Sequence, residues 1–153
     1  MDIIYKEGHV LQSDVRFVFN PCDDQGKFNL PINVSVRESY PFAYSEYCKI
    51  IDDPMKSFMG QLQMVKCRDK VVFNSFVISP YTKTTYTVSY DALSAVFAHI
   101  ESVIPGSELA IPKFNTFEEH LGDWKVISAI ISSELKTVRP IVYVKNNFFK
   151  KYG

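Results

Sequence analysis

Short runs of β-branched and aromatic residues alternate along this chain with stretches of helical period, and that alternation constrains the fold more than any other feature. Residues 3–5, 15–19, 62–66, 71–78, 109–111 and 141–144 have the composition of strands. Between them, Leu93, Val96, Phe97, Ile100 and Val103 recur at three- and four-residue spacing behind Ser89, a residue placed to cap the first helical turn. Trp124, Ile127, Ile131 and Leu135 repeat the pattern, with Gly122-Asp123 as the start signal. Strands interleaved with helices predict a layered α/β fold around a largely parallel or mixed sheet.

At 153 residues the chain is expected to form one domain, residues 1–153, around a single core. Apolar residues make up 46% and charged residues 22%, which is the balance of an ordered globular protein. The formal net charge is zero, so no overall field draws in nucleic acid or anionic lipid. The tail 145–153 mixes lysines with aromatics, but one such terminal cluster reads as a closing strand or frayed end, and a nucleic-acid partner is not expected. Cys22, Cys48 and Cys67 are far apart and have no paired histidines, so neither a disulfide framework nor a metal site is predicted. With no apolar run near the ~20 residues of a membrane helix and no signal-like N-terminus, the sequence reads as cytoplasmic, with no membrane partner and no cofactor.

The segment 18–41, VFNPCDDQGKFNLPINVSVRESYP, joins an apolar strand to a polar loop. A loop that leaves the C-terminal end of a strand and enters a helix places backbone N–H groups and a positive dipole end beside any anion bound there. Within it, Ile32-Asn33-Val34-Ser35-Val36 alternates with period two and on pattern alone reads as a strand.

Val18-Phe19-Asn20, Gln25-Gly26, Ile32, Arg37-Glu38 and Tyr40-Pro41 resemble, without a gap, the first ligand loop of the macro domain. The similarity is to the short branch of ADP-ribose-1''-phosphate phosphatases and ADP-ribosyl-ester hydrolases. Tyr90-Asp91-Ala92-Leu93 and Ala110-Ile111-Pro112-Lys113, followed by Gly122-Asp123-Trp124, continue it in the family's order, from about residue 5 to about residue 144. The resemblance implies a three-layer α/β/α fold with a central mixed sheet. It also implies a helix, not a strand, from Pro31, since Ile32, Val36 and Tyr40 share a helical face and Pro31 suits the first helical position.

By the same resemblance Asn20 is the ribose-contacting asparagine, although a turn asparagine that bonds its own loop has the same residue type. Asp23 stands where relatives often carry a second asparagine. It can accept from ribose hydroxyls, orient a water, or simply stabilise its loop. Gln25, Gly26, Lys27 and Phe28 form the implied first-loop wall, with Gly26 the family's loop glycine. Beyond it, Asn29-Leu30-Pro31 replaces a glycine run that would approach a diphosphate, and Pro31 has no N–H to give.

At the implied adenine end, Gly8, His9 and Val10 stand for Gly-Asp-Leu, with an imidazole in place of the carboxylate. The second loop supplies Asn115, Thr116, Phe117, Glu118 and His120 to the ligand wall, and its glycines are gone except Gly122. Glu119 lies within a residue of the hydrolases' loop acid. Their nucleophilic lysine has no counterpart at Ile78 or Ser79, with Lys83 several residues on. Aromatics at Phe76, Tyr81 and Tyr86 offer a distal stacking wall or ordinary core packing.

Three functions follow as expectations. The first is a binding module for an ADP-ribose-like or other NAD-derived nucleotide, which it holds or sequesters. The second is a phosphatase or hydrolase in which Asn20, Asp23 and Glu119 position water and substrate. The third is a degenerate macro fold that contacts a protein partner.

Overall fold

The computed structural model describes residues 1–53, 56–80, 86–114 and 122–144. Among these residues seven strands form one mixed sheet: β1 (Ile4–Glu7), β2 (Phe17–Asp23), β3 (Leu62–Lys66), β4 (Val71–Pro80), β5 (Tyr86–Val88), β6 (Glu108–Pro112) and β7 (Arg139–Val144). Four α-helices accompany it among the described residues: α1 (Pro31–Ser39), α2 (Pro41–Ile50), α3 (Tyr90–Val103) and α4 (Trp124–Glu134). The sheet order is β1-β7-β6-β2-β4-β3, with β5 also on β4. Strands β1, β7, β6, β2 and β4 run parallel, while β3 and β5 are antiparallel to β4.

Alternate residues of the central strands feed two cores. Phe19, Phe73, Leu109, Ile111 and Val142 face α3 and α4, where they meet Leu93, Phe97, Ile100, Ile127 and Ile131. Val18, Val72, Ala110 and Ile141 face the other way, onto Ile32, Val36, Ala43 and Tyr47 of α1 and α2. This is the three-layer arrangement expected of a chain whose parallel strands are apolar on both faces. The α3 side is anchored by Phe97 stacked on Phe19, with ring centroids 4.8 Å apart.

The period-two stretch 32–36 is helical, as the macro-domain resemblance implies and pattern alone does not. Pro31 pre-sets the first turn, Ile32 and Val36 are buried, and Val34, which produced the alternation, is 45% exposed on the far face. A second helix, which the periodicity does not reveal, begins at once. Tyr40 has non-helical dihedrals (φ −133°, ψ 66°), and the Pro41 ring at the next position prevents α1 and α2 from fusing. Ser89 caps α3 as predicted, its side chain accepting from the Ala92 N–H at 3.2 Å.

Two local devices shape the sheet. Between Cys22 and Asp23 the β2–β4 register slips: Cys22 pairs with Phe76 but Asp23 pairs with Ile78. Val77 is therefore extra, and both Val77 and Ile78 enter the α3-side core, a bulge that bends the strand end. At the opposite edge, Glu101 of α3 accepts the N–H groups of Lys136, Thr137 and Val138 at 2.7, 2.8 and 2.9 Å, and the Thr137 hydroxyl. Burial pushes the Glu101 carboxyl up, but that hydroxyl and the three amides outweigh it and hold the group at about 2, against an ordinary 4.5.

Candidate functional site

The five parallel strands all finish on one edge, at Glu7, Val144, Pro112, Asp23 and Pro80. Connectivity brings helix starts to the same edge: α1 follows β2, and α4 follows β6. The start of α3 is tied in as well, since the Tyr90 hydroxyl accepts the Asp123 N–H at 2.9 Å. Crevices outside the carboxyl ends of parallel strands are where α/β sheets hold ligands, because loops and positive helix ends converge there.

The first loop is closed upon itself. The Asp23 carboxylate, in a residue only 4% exposed, accepts the N–H groups of Gln25 (2.8 Å), Lys27 (3.0 Å) and Phe28 (2.9 Å). From α2, Tyr47 joins the two ends: its hydroxyl donates to the Asp23 carbonyl at 2.9 Å and accepts the Gly26 N–H at 3.1 Å. Such tight wrapping requires left-handed backbone at Gly26 (φ 83°) and, less usually, at Phe28 (φ 45°). The cost at Phe28 is offset by burial of its ring against Tyr47 and Tyr44, at 4.6 and 5.0 Å. Gln25, Gly26 and Lys27 remain exposed on the rim, whereas Phe28 belongs to the core.

Asn20 is fully buried one layer below. Its amide donates to Asn74 Oδ1 at 2.8 Å and accepts from Asn33 Nδ2 at 2.8 Å. Asn33 also donates to the Pro21 carbonyl, and Asn74 donates to the Ala43 carbonyl and to Gln63 Oε1. This chain of amides joins α1, β2, β4, α2 and β3. Among the described residues no buried side-chain nitrogen or oxygen lacks a partner. Both ends of the Asn20 amide are thus engaged within the protein, and it fixes the end of β2.

At the implied adenine end, the Gly8 N–H donates to the Val144 carbonyl at 2.9 Å and leads into a 3-10 turn, Val10–Gln12. His9 is exposed and caps that turn, its Nδ1 accepting the Leu11 N–H at 3.2 Å, which fixes Nδ1 as the unprotonated nitrogen in this arrangement. Val10 points into the α1-side core. Gly8, His9 and Val10 thus share one turn, with only the first two at the surface.

Where β6 ends and α4 begins, Phe114 meets Trp124 edge-on at 6.1 Å, and Lys113 Nζ lies 5.1 Å from the Trp124 ring centroid. The indole N–H of Trp124 donates to Tyr5 Oη at 2.9 Å, and Asp123 caps α4 through Lys125 N–H at 2.9 Å. Asn115, Thr116, Phe117, Glu118, Glu119 and His120 lie outside the described residues, as do Tyr81, Lys83 and the tail 145–153.

Burial dominates the surroundings of Asp23, and its charge adds to the effect. Burial first, and that charge second, push the Tyr47 phenol, the Cys22 thiol and the Tyr86 phenol above their ordinary values. All three stay protonated at neutral pH, so Cys22 is an inert thiol and not a nucleophile. Among the described residues no group of histidines, cysteines and carboxylates is placed to hold a metal ion. None of their helices is long and apolar enough to cross a membrane.

Sequence reasoning did not find Asn33, Asn74, Gln63 or Tyr47. Only Tyr47 left a trace, its four-residue spacing from Ala43 behind a proline that can open a helix.

No protein-family model matches the sequence, and no curated protein matches it. Solved structures do. A Bacteroides thetaiotaomicron protein of unknown function aligns with TM-score 0.80 and 18% identity, covering 94% of this chain and 98% of that one. A Streptomyces coelicolor macrodomain protein aligns with TM-score 0.77 and 18% identity over 95% and 100% of the two chains. Thermosipho africanus DarTG, solved in complex with ADP-ribose, aligns with TM-score 0.72 and 12% identity over 95% of this chain and 42% of its own. The chain has a macrodomain-like α/β fold.

Proposed function

We propose that the crevice at the carboxyl ends of the parallel strands binds an ADP-ribose-like or other NAD-derived nucleotide, and that the protein is a binding module that holds or sequesters it. The observation that carries this reading is the convergence of the starts of α1, α3 and α4 on the edge where five parallel strands end. Beside it lie the half-buried Trp124 ring and the Lys113 ammonium, backed by the buried Phe114, an aromatic and cationic pairing suited to a base or sugar face. The ADP-ribose carried by the Thermosipho neighbour supports the choice of ligand class.

Binding is preferred to catalysis because the described groups nearest the crevice are already committed. Asp23 already accepts three amides, and Tyr47 and Cys22 are held protonated. Calorimetric titration with ADP-ribose, its 1''-phosphate and cyclic ADP-ribose isomers tests the reading. Heat from one of these ligands, which is recovered intact, is the expected result. Turnover would move the assignment to a phosphatase or hydrolase, and no heat with any of the three would overturn both.

A further inference from the structure

We propose that Asp23 is a resident anion: its carboxylate occupies the backbone donors that a bound phosphate would require, and so makes the first loop discriminate against phosphate. The proposal deepens the nucleotide-crevice reading above and rests on it for its biological sense.

Five of the six N–H groups between residues 25 and 30 are spent inside the protein: three on Asp23, that of Gly26 on Tyr47, and that of Leu30 on Asn33 Oδ1 at 3.0 Å. Pro31, at the first position of α1, has none. Successive N–H groups that converge on one point form a concavity selective for anions, and a carboxylate held at 2.8 to 3.0 Å satisfies it as a phosphate oxygen would. Here the anion is covalently attached, so its effective concentration is high and it leaves only if the loop opens. Opening is opposed because Tyr47 clamps the turn and Phe28 is buried at the base of it.

Charge works in the same direction. A phosphate brought to this loop would meet a fixed carboxylate in a residue that solvent scarcely reaches, and like charges at that range repel strongly. The Tyr86 phenol, raised by burial first, is raised further by the same charge. The favoured occupant of this part of the crevice is therefore an uncharged ribosyl or nucleoside moiety, with any phosphate of the ligand carried elsewhere along the edge.

The test uses the full chain, with inorganic phosphate as probe and amide NMR shifts of Gln25, Lys27 and Phe28 as readout. Asp23→Ala empties the concavity, and these amides should shift on phosphate addition while those of the wild type do not. Equal shifts in the wild type, or none in a folded Asp23→Ala, would overturn the proposal. If Asp23→Ala does not fold, Asp23→Asn, which removes the charge but keeps one acceptor, decides by the same readout. In parallel, Asp23→Asn should bind ADP-ribose about tenfold more tightly than the wild type. Unchanged or weaker ADP-ribose binding with phosphate-insensitive loop amides would also overturn it. Because inorganic phosphate addresses the loop alone, a crevice that takes no ADP-ribose at all would defeat the nucleotide reading and leave the loop result legible.

Discussion

The Tyr47 hydroxyl and the Asp23 main chain are locked together, the phenol donating to the Asp23 carbonyl at 2.9 Å while accepting the Gly26 N–H at 3.1 Å. One buried atom on α2 thereby closes a loop on β2, and the first prediction follows from it. Tyr47→Phe keeps the ring packing on Phe28 and Phe76 but leaves a carbonyl and an amide without partners. Stability should fall by about 2 kcal/mol, measured by urea denaturation, with faster hydrogen exchange at Gly26. Unchanged stability together with unchanged exchange at Gly26 would contradict this role.

Asn20 supplies a second prediction. Asn20→Ala removes the middle of the amide chain and should cost about 2 kcal/mol. Asn74→Ala should cost a similar amount, and the double variant clearly less than the sum, because each single change strands the other residue's amide while the double variant removes both. Additive losses in the denaturation cycle would show that the two amides do not depend on each other.

Glu101 makes the third, through pH. Its carboxyl sits at about 2 in the fold, below its ordinary 4.5. A depressed carboxyl stabilises the fold fully above its unfolded value, and that contribution is lost as pH falls through the folded value. The unfolded chain takes up the proton first, so acid favours unfolding across the window from about 4.5 down to about 2. Urea midpoints for the wild type should drop through this window, and Glu101→Gln should show a shallower drop from a lower plateau at neutral pH. Parallel curves for the two proteins would rule the mechanism out.

Local periodicity was enough for α3 and α4, whose apolar stripes lie above one core and whose caps, Ser89 and Asp123, are adjacent in sequence to what they cap. It misled at residues 32–36, where an exposed Val34 and a buried Asn33 invert the usual assignment of polar to outside, and only family resemblance restored the helix. Tyr40-Pro41, which ends the segment 18–41, opens α2, because a proline suits a first helical turn. The site was legible as far as the loop of Asp23 and Gly26. Its inner supports were not, since Tyr47 and Asn74 reach it across 21 to 54 positions and Asn33 meets Pro21 and Asn20 across 12 and 13, and sequence spacing carries no mark of those contacts.

The buried amide chain has a consequence for how such a protein can diverge. Asn33, Asn20 and Asn74 each give and receive, so replacing one strands its neighbours, whereas an apolar substitute for all three requires several changes at once. Drift is thereby channelled: rim positions such as Gln25 and Lys27 can vary one at a time while the scaffold beneath them is conserved by interlocking cost, so a lineage can exchange its ligand long before it can exchange its frame.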